Sequence, residues 1–265
     1  MEITKKRITI QQDGIEIGAY IAFPKTAKKL PGIIILHEVW GLNSQIEEVA
    51  KRFAKEGYVA LAPDLFSRYK DTLNEQNIES AMKKIMALPV KSMSDPGAIE
   101  EASKKMSDSE KSVVQIIFKE RQKMEEDLVK DIITCCKYLE NSNAVSRKPL
   151  GAMGFCLGGG LAFQLSTIIP LGATVIFYGS NPKPLESIEK IKGPVLCHYA
   201  EEDPHINSAI PSLVENMIKY HKEFEMKIYK GTVHAFFNEQ RPSYNREAAK
   251  EAFGKTKTFF RKNLA

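Results

Sequence analysis

The chain has 265 residues, 43% of them hydrophobic and 27% charged, with a formal net charge of +5. That length fits one large domain, or one domain with an inserted cap, and the apolar share fits a globular protein with a substantial core. Lysines and acids are interleaved without a long basic block, which argues against nucleic acid or a membrane surface as a partner. Residues 1–12 are polar and charged, unlike a signal peptide, and no apolar run approaches membrane-spanning length. Cys135, Cys136, Cys156 and Cys197 have neither the paired spacing of a zinc site nor the density of a disulfide framework. A reducing, cytoplasmic setting without a metal or cofactor is the expectation.

Taken in chain order, strand-like runs at 6–10 and 15–23 flank Gln12-Asp13-Gly14, a hairpin signal. Residues 32–36 are wholly apolar, as a strand buried on both faces requires. Ile46, Val49, Ala50 and Phe53 then recur at helical spacing over 44–56, with Gly57 as a stop. A strand at 58–62 ends on Pro63-Asp64. Between 66 and 124 no strand stands out, and polar helical stretches are punctuated by Pro89 and Asp95-Pro96-Gly97. Residues 109–140 read as one or two amphipathic helices. Strands at 150–154, 173–178, 195–200 and 224–229 follow, with helices at 159–167, 208–221 and about 244–262. This alternation predicts an α/β fold, a mostly parallel sheet covered by helices on both faces, with the leading hairpin as an antiparallel edge. The expected organisation is a single domain over 1–265 with a helical cap or insertion at about 67–125.

Chemistry concentrates at Gly154-Phe155-Cys156-Leu157-Gly158, which lies between a predicted strand and a predicted helix. Gly-x-nucleophile-x-Gly in that context forms a nucleophile elbow. Its glycines let strand and helix close around a strained turn, and the nucleophile meets the helix N-terminus, where negative charge is favoured. A cysteine takes the place of the usual serine. The alternative is a small buried cysteine of no chemical consequence.

An elbow nucleophile needs a base and an orienting acid from loops at the carboxyl ends of later strands. Asp203 follows the 195–200 strand and His234 follows the 224–229 strand, in the chain order nucleophile, acid, histidine. His234 would accept the thiol proton, and Asp203 would hold its tautomer. Glu201, Glu202 and His205 are close enough to compete for these roles. The turn His37-Glu38-Val39-Trp40-Gly41 follows the first buried strand, so Val39 and Leu157 are the expected backbone donors to an oxyanion. His37-Glu38 is not a zinc signature, because Gly41 stands where a second histidine is required. Glu38 beside an oxyanion donor is unexpected for a purely structural acid; otherwise it points into solvent or pairs with a lysine.

Four segments and the closing Arg241-Pro242-Ser243-Tyr244 carry a family resemblance. Glu38-Val39-Trp40-Gly41-Leu42-Asn43, Ala62-Pro63-Asp64-Leu65-Phe66-Ser67-Arg68, Gly151-Ala152-Met153-Gly154-Phe155-Cys156-Leu157-Gly158-Gly159 and Gly231-Thr232-Val233-His234-Ala235-Phe236 resemble those of the dienelactone hydrolases (carboxymethylenebutenolidases). The match runs from about residue 8 to 260 and is weakest over 69–124. It implies an α/β-hydrolase fold and cofactor-free hydrolysis of a small-molecule lactone or ester through a thioester. It also implies that the glutamate matching Glu38 touches the resting thiol and that substrate moves it to help generate the thiolate. Family members acting on dienelactone hold the substrate carboxylate with arginines, one of them four residues after the catalytic histidine. Here that position is Asn238. Arg68, Trp40, Asn238 and Arg241 are the candidate substrate contacts. Other readings are a general carboxylesterase or thioesterase, a cysteine peptidase, and a non-catalytic ligand-binding relative; a monomer or weak homo-oligomer is expected.

Overall fold

A computed structural model describes residues 2–12, 14–26, 28–88, 95–146 and 148–264. Asp13 of the hairpin turn and Pro89 lie outside them. One sheet of eight strands runs through the molecule: β1 (Ile3–Gln12), β2 (Ile15–Pro24), β3 (Gly32–Leu36), β4 (Val59–Pro63), β5 (Gly151–Phe155), β6 (Ala173–Phe177), β7 (Val195–Glu202) and β8 (Phe224–Val233). Their spatial order is β1-β2-β4-β3-β5-β6-β7-β8. The pairs β1–β2 and β2–β4 are antiparallel and the rest are parallel, so the hairpin extends one edge as expected.

The period of two along β3 sorts its side chains onto two cores. Ile33 and Ile35 point to the side where α1 (Ser44–Lys55) and α9 (Arg246–Leu264) supply Phe53 and Phe260. Ile34 and Leu36 meet Ile132 of α5 (Arg121–Glu140) and Leu161 and Leu165 of α6 (Leu157–Ser166) on the other side. Burying each isoleucine stabilises the fold by roughly 2 kcal/mol, before conformational entropy is counted.

Between β4 and β5 the described chain is helical. After a short 3₁₀ turn (Ser67–Tyr69) come α2 (Glu75–Met86), α3 (Pro96–Ser103), α4 (Asp108–Val114), a π-helical turn (Gln115–Lys119) and α5. The run expected as one or two helices over 109–140 is therefore α4 and α5 joined by that π turn. Ile85, Ile99, Met106 and Val114 form a small core of this stretch.

Several boundaries move. α6 begins at Leu157, not 159, because Cys156 itself is the N-cap residue. The expected helix at 208–221 divides into α7 (Pro204–Asn207) and α8 (Ile210–Lys219). Strands β7 and β8 run on to Glu202 and Val233, past a register shift between Ala200 and Glu202. Gly231, at φ +66°, supplies a left-handed backbone within that extension. Among the described residues, no helix is long and apolar enough to cross a membrane.

Candidate active site

Extension of β7 and β8 brings two side chains to the same edge. Asp203 directly follows β7, and His234 directly follows β8. Their contact is short: His234 Nδ1 lies 2.5 Å from Asp203 Oδ2. The carboxylate is almost fully buried, whereas about a third of the imidazole remains exposed. Cys156 is the other ionisable group that acts on this ring. Burial alone would push the His234 pKa down. The negative charge available at Cys156, and the hydrogen bonds and charge of Asp203, outweigh it and hold the imidazole well above its ordinary value. Glu201, a rival acid by position, instead accepts the Gly231 N–H at 2.8 Å.

Cys156 occupies φ 51°, ψ −114°, a strained conformation for a residue with a Cβ. The surrounding backbone enforces it. Cys156 N–H donates to Phe177 O at 3.0 Å, and Gly158 N–H donates to His37 O at 3.1 Å. A Cβ on Gly154 would stand 2.0 Å from Gly158 O, and one on Gly158 would stand 2.4 Å from Leu36 O. Only glycines let strand, turn and helix approach this closely. Cys156 is partly accessible, while Cys135, Cys136 and Cys197 are buried. Burial pushes the thiols of Cys135 and Cys197 up to about 12, far from reactive.

Glu38 is neither solvent-facing nor paired with a lysine. It is 3% exposed, accepts the Tyr178 hydroxyl at 3.1 Å on Oε1, and accepts the Asn238 side-chain amide on Oε2. Burial raises its pKa, and these hydrogen bonds and the nearby His234 and Arg241 charges only partly oppose that. Tyr178 went unremarked in the sequence. It sits at φ 40° just past β6, and its ring centroid lies 5.0 Å from that of His234. Only its position at a strand end could have drawn attention.

The remaining candidates are already engaged. Arg68 makes two 2.7 Å bonds to Asp131 of α5. Arg241 stacks on Trp40, its guanidinium carbon 3.5 Å from the ring centroid, and reaches Glu79 of α2 at 2.5 Å. Asn238 faces Glu38, Leu157 directly follows Cys156 at the start of α6, and Val39 lies in the turn after β3.

A strained cysteine between β5 and α6, with an acid after β7 and a histidine after β8, stands on a mostly parallel sheet extended by an antiparallel hairpin. That architecture is the α/β-hydrolase fold. A crystal structure of a "Putative Dienelactone Hydrolase" from Klebsiella pneumoniae superposes with a TM-score of 0.75 over 98% of this chain and 99% of that one, at 23% identity. A "Putative carboxymethylenebutenolidase" of Saccharolobus solfataricus is 44% identical, covering 97% of this chain and 98% of its own. A "Probable 2-oxo-3-(5-oxofuran-2-ylidene)propanoate lactonase" of Bradyrhizobium is 28% identical, covering 97% and 96%. The model of the dienelactone hydrolase family matches residues 17–264, and the chain belongs to that family. It is a dienelactone hydrolase-like hydrolase.

Proposed function

We propose that the chain is a cysteine-dependent hydrolase of lactones and small carboxylic esters that carry no carboxylate of their own. His234 takes the Cys156 proton, and the sulfur adds to the ester carbonyl carbon. Backbone N–H groups of Leu157 and Val39 hold the resulting oxyanion. As the intermediate collapses, the C–O bond breaks and His234 returns the proton to the departing oxygen, leaving a thioester. A water deprotonated by His234 then releases the acid and restores the thiol. Asp203 keeps His234 oriented and stabilises its charged form. Glu38, held beside the oxyanion turn, restrains thiolate formation until substrate binds. Residues at about 67–125 act as the cap of a single domain.

The single observation that supports this mechanism is His234 held by Asp203 at 2.5 Å on a ring that also feels the charge available at Cys156. The preference for neutral substrates rests on the arginines. Arg68 is matched by Asp131 and Arg241 by Glu79, so a substrate carboxylate would have to displace a protein carboxylate from either guanidinium. The relative named a lactonase supports ring-opening chemistry on this scaffold.

The test is hydrolysis of p-nitrophenyl acetate, a neutral lactone and a dienelactone by the wild type and Cys156→Ala. We expect all turnover to vanish in the variant, a fall of more than ~10³-fold. Wild-type kcat/KM should be at least about tenfold lower for the acidic lactone than for the neutral one, the loss of one charge-assisted contact. Activity surviving in Cys156→Ala would sink the cysteine mechanism. Preference for the acidic lactone would sink the neutral-substrate reading alone.

A further inference from the structure

His37 is fully buried, yet it is bonded to three segments that meet at the site. Its carbonyl accepts the Gly158 N–H of the elbow helix at 3.1 Å. Its ring Nε2 accepts the Leu65 N–H, from the loop after β4, at 3.0 Å. Its Nδ1 lies 2.6 Å from the carbonyl oxygen of Glu38. The first ring contact decides the second. A nitrogen that accepts from a backbone N–H carries no proton, so in the neutral ring the proton sits on Nδ1 and is donated to Glu38 O. Burial lowers the pKa of the ring and favours that neutral form, although the Asp64 carboxylate lies 3.9 Å from Nε2.

Glu38 O belongs to the peptide plane whose N–H is that of Val39. In a planar trans peptide the C=O and N–H point in opposite directions. Gly41 N–H also donates to Glu38 O, at 3.2 Å. Two donors on the carbonyl therefore aim the N–H at the other end of the plane. The Phe66 ring packs edge-on against the imidazole, with centroids 4.9 Å apart, and restricts its rotation.

We infer that His37 is a positioning residue: through Nδ1–H···O=C of Glu38 it fixes the peptide that presents the Val39 N–H to the oxyanion. This rests on the hydrolase reading above. His37 touches no substrate. It acts when negative charge develops on the carbonyl oxygen, where preorganised donors matter most.

Two reactions of Cys156 separate this role from general support of the fold. Acylation by p-nitrophenyl acetate passes through an oxyanion, whereas alkylation by iodoacetamide displaces iodide from carbon without one. In His37→Phe, which keeps an aromatic ring but neither ring hydrogen bond, the acylation burst should slow by about 100-fold, the scale of losing one oxyanion donor. KM should change little and alkylation should stay within about twofold. His37→Gln, whose amide can donate to the same carbonyl, should recover part of the acylation rate. Acylation and alkylation falling together would overturn the inference, because the elbow itself would then be damaged. An unchanged acylation rate would overturn it too.

Should His37→Phe fail to fold, the ¹⁵N shifts of His37 in the wild-type protein decide the matter. A protonated Nδ1 and bare Nε2 are expected; the opposite tautomer sinks the proposal. A wild type that is alkylated but never acylated would instead sink the hydrolase reading, and this inference with it.

Discussion

Around Cys156 the close contacts are made by backbone; across the helices between β4 and β5 they are made by side chains. At the elbow, Gly154 and Gly158 bring main chains of β5, α6 and the β3 turn to separations that no Cβ could share, and Cys156 is bonded to Phe177 O. In the helical stretch, α4 begins with a capping box between Ser107 and Glu110, and Glu110 also accepts Ser80 Oγ at 2.5 Å and Lys84 Nζ at 2.6 Å from α2. Arg68–Asp131 joins the 3₁₀ turn of the same stretch to α5, and Arg241–Glu79 ties α2 to the loop after β8. Main-chain packing resists small rearrangements, because every atom in it is covalently fixed. Side-chain ion pairs can part and re-form at little cost, which suits a cap. Under the proposed function, Cys156 and its partners lie on the backbone-packed part and the proposed cap on the part held by side chains.

Gly154→Ala would break the comparison most severely. Its new Cβ would stand 2.0 Å from Gly158 O, so we expect destabilisation on the order of 4 kcal/mol or more, with loss of activity. Urea unfolding of the variant measures it; a stability within about 1 kcal/mol of wild type would mean the elbow is far softer than its contacts indicate.

In the helical stretch the effect should be smaller and depend on pH. Hydrogen bonds from Lys84, then Ser80 and Ser107, pull the Glu110 carboxyl down to about 2. A folded-state pKa below the ordinary one stabilises the protein above the ordinary value, and that contribution fades as pH falls toward about 2. The hydrogen-exchange protection of 75–88 and 95–119, corrected for the intrinsic rate at each pH, should therefore fall between about pH 5 and 2. Glu110→Gln should flatten that dependence and cost about 1 kcal/mol at neutral pH, discounted because Lys84 is half exposed. An unchanged acid response would show that Glu110 does not hold α2 to α4.

The smallest expected change returns to the elbow. Glu38→Gln keeps the shape of the buried group but removes its charge near the nucleophile. Alkylation of Cys156 by iodoacetamide should quicken by roughly threefold. Equal rates would count against a restraining role for Glu38.

How much of this was legible follows from the range of each signal. β3 announces itself as five apolar residues, and the elbow as a pentapeptide. Asp203 and His234 could be found because each follows a strand, although β7 and β8 run longer than their apolar runs suggest. The extension depends on a register shift and on Gly231, features of pairing between strands rather than of either strand alone. Tyr178 carried no local mark, since its role at Glu38 spans 140 residues.

By itself the sequence determined the alternation of strands and helices, the strained cysteine, and the placing of Cys156, Asp203 and His234 each just past a strand. Those are written in periods of two and 3.6 and in glycine spacing, which neighbouring residues enforce on one another. Tertiary structure alone decided which cations and amides are spoken for. Arg68 finds Asp131 63 residues away, Arg241 finds Glu79 162 away, and Asn238 finds Glu38 200 away. Such pairings form only once the sheet has brought distant segments together, because a charge acts through space and not along the chain.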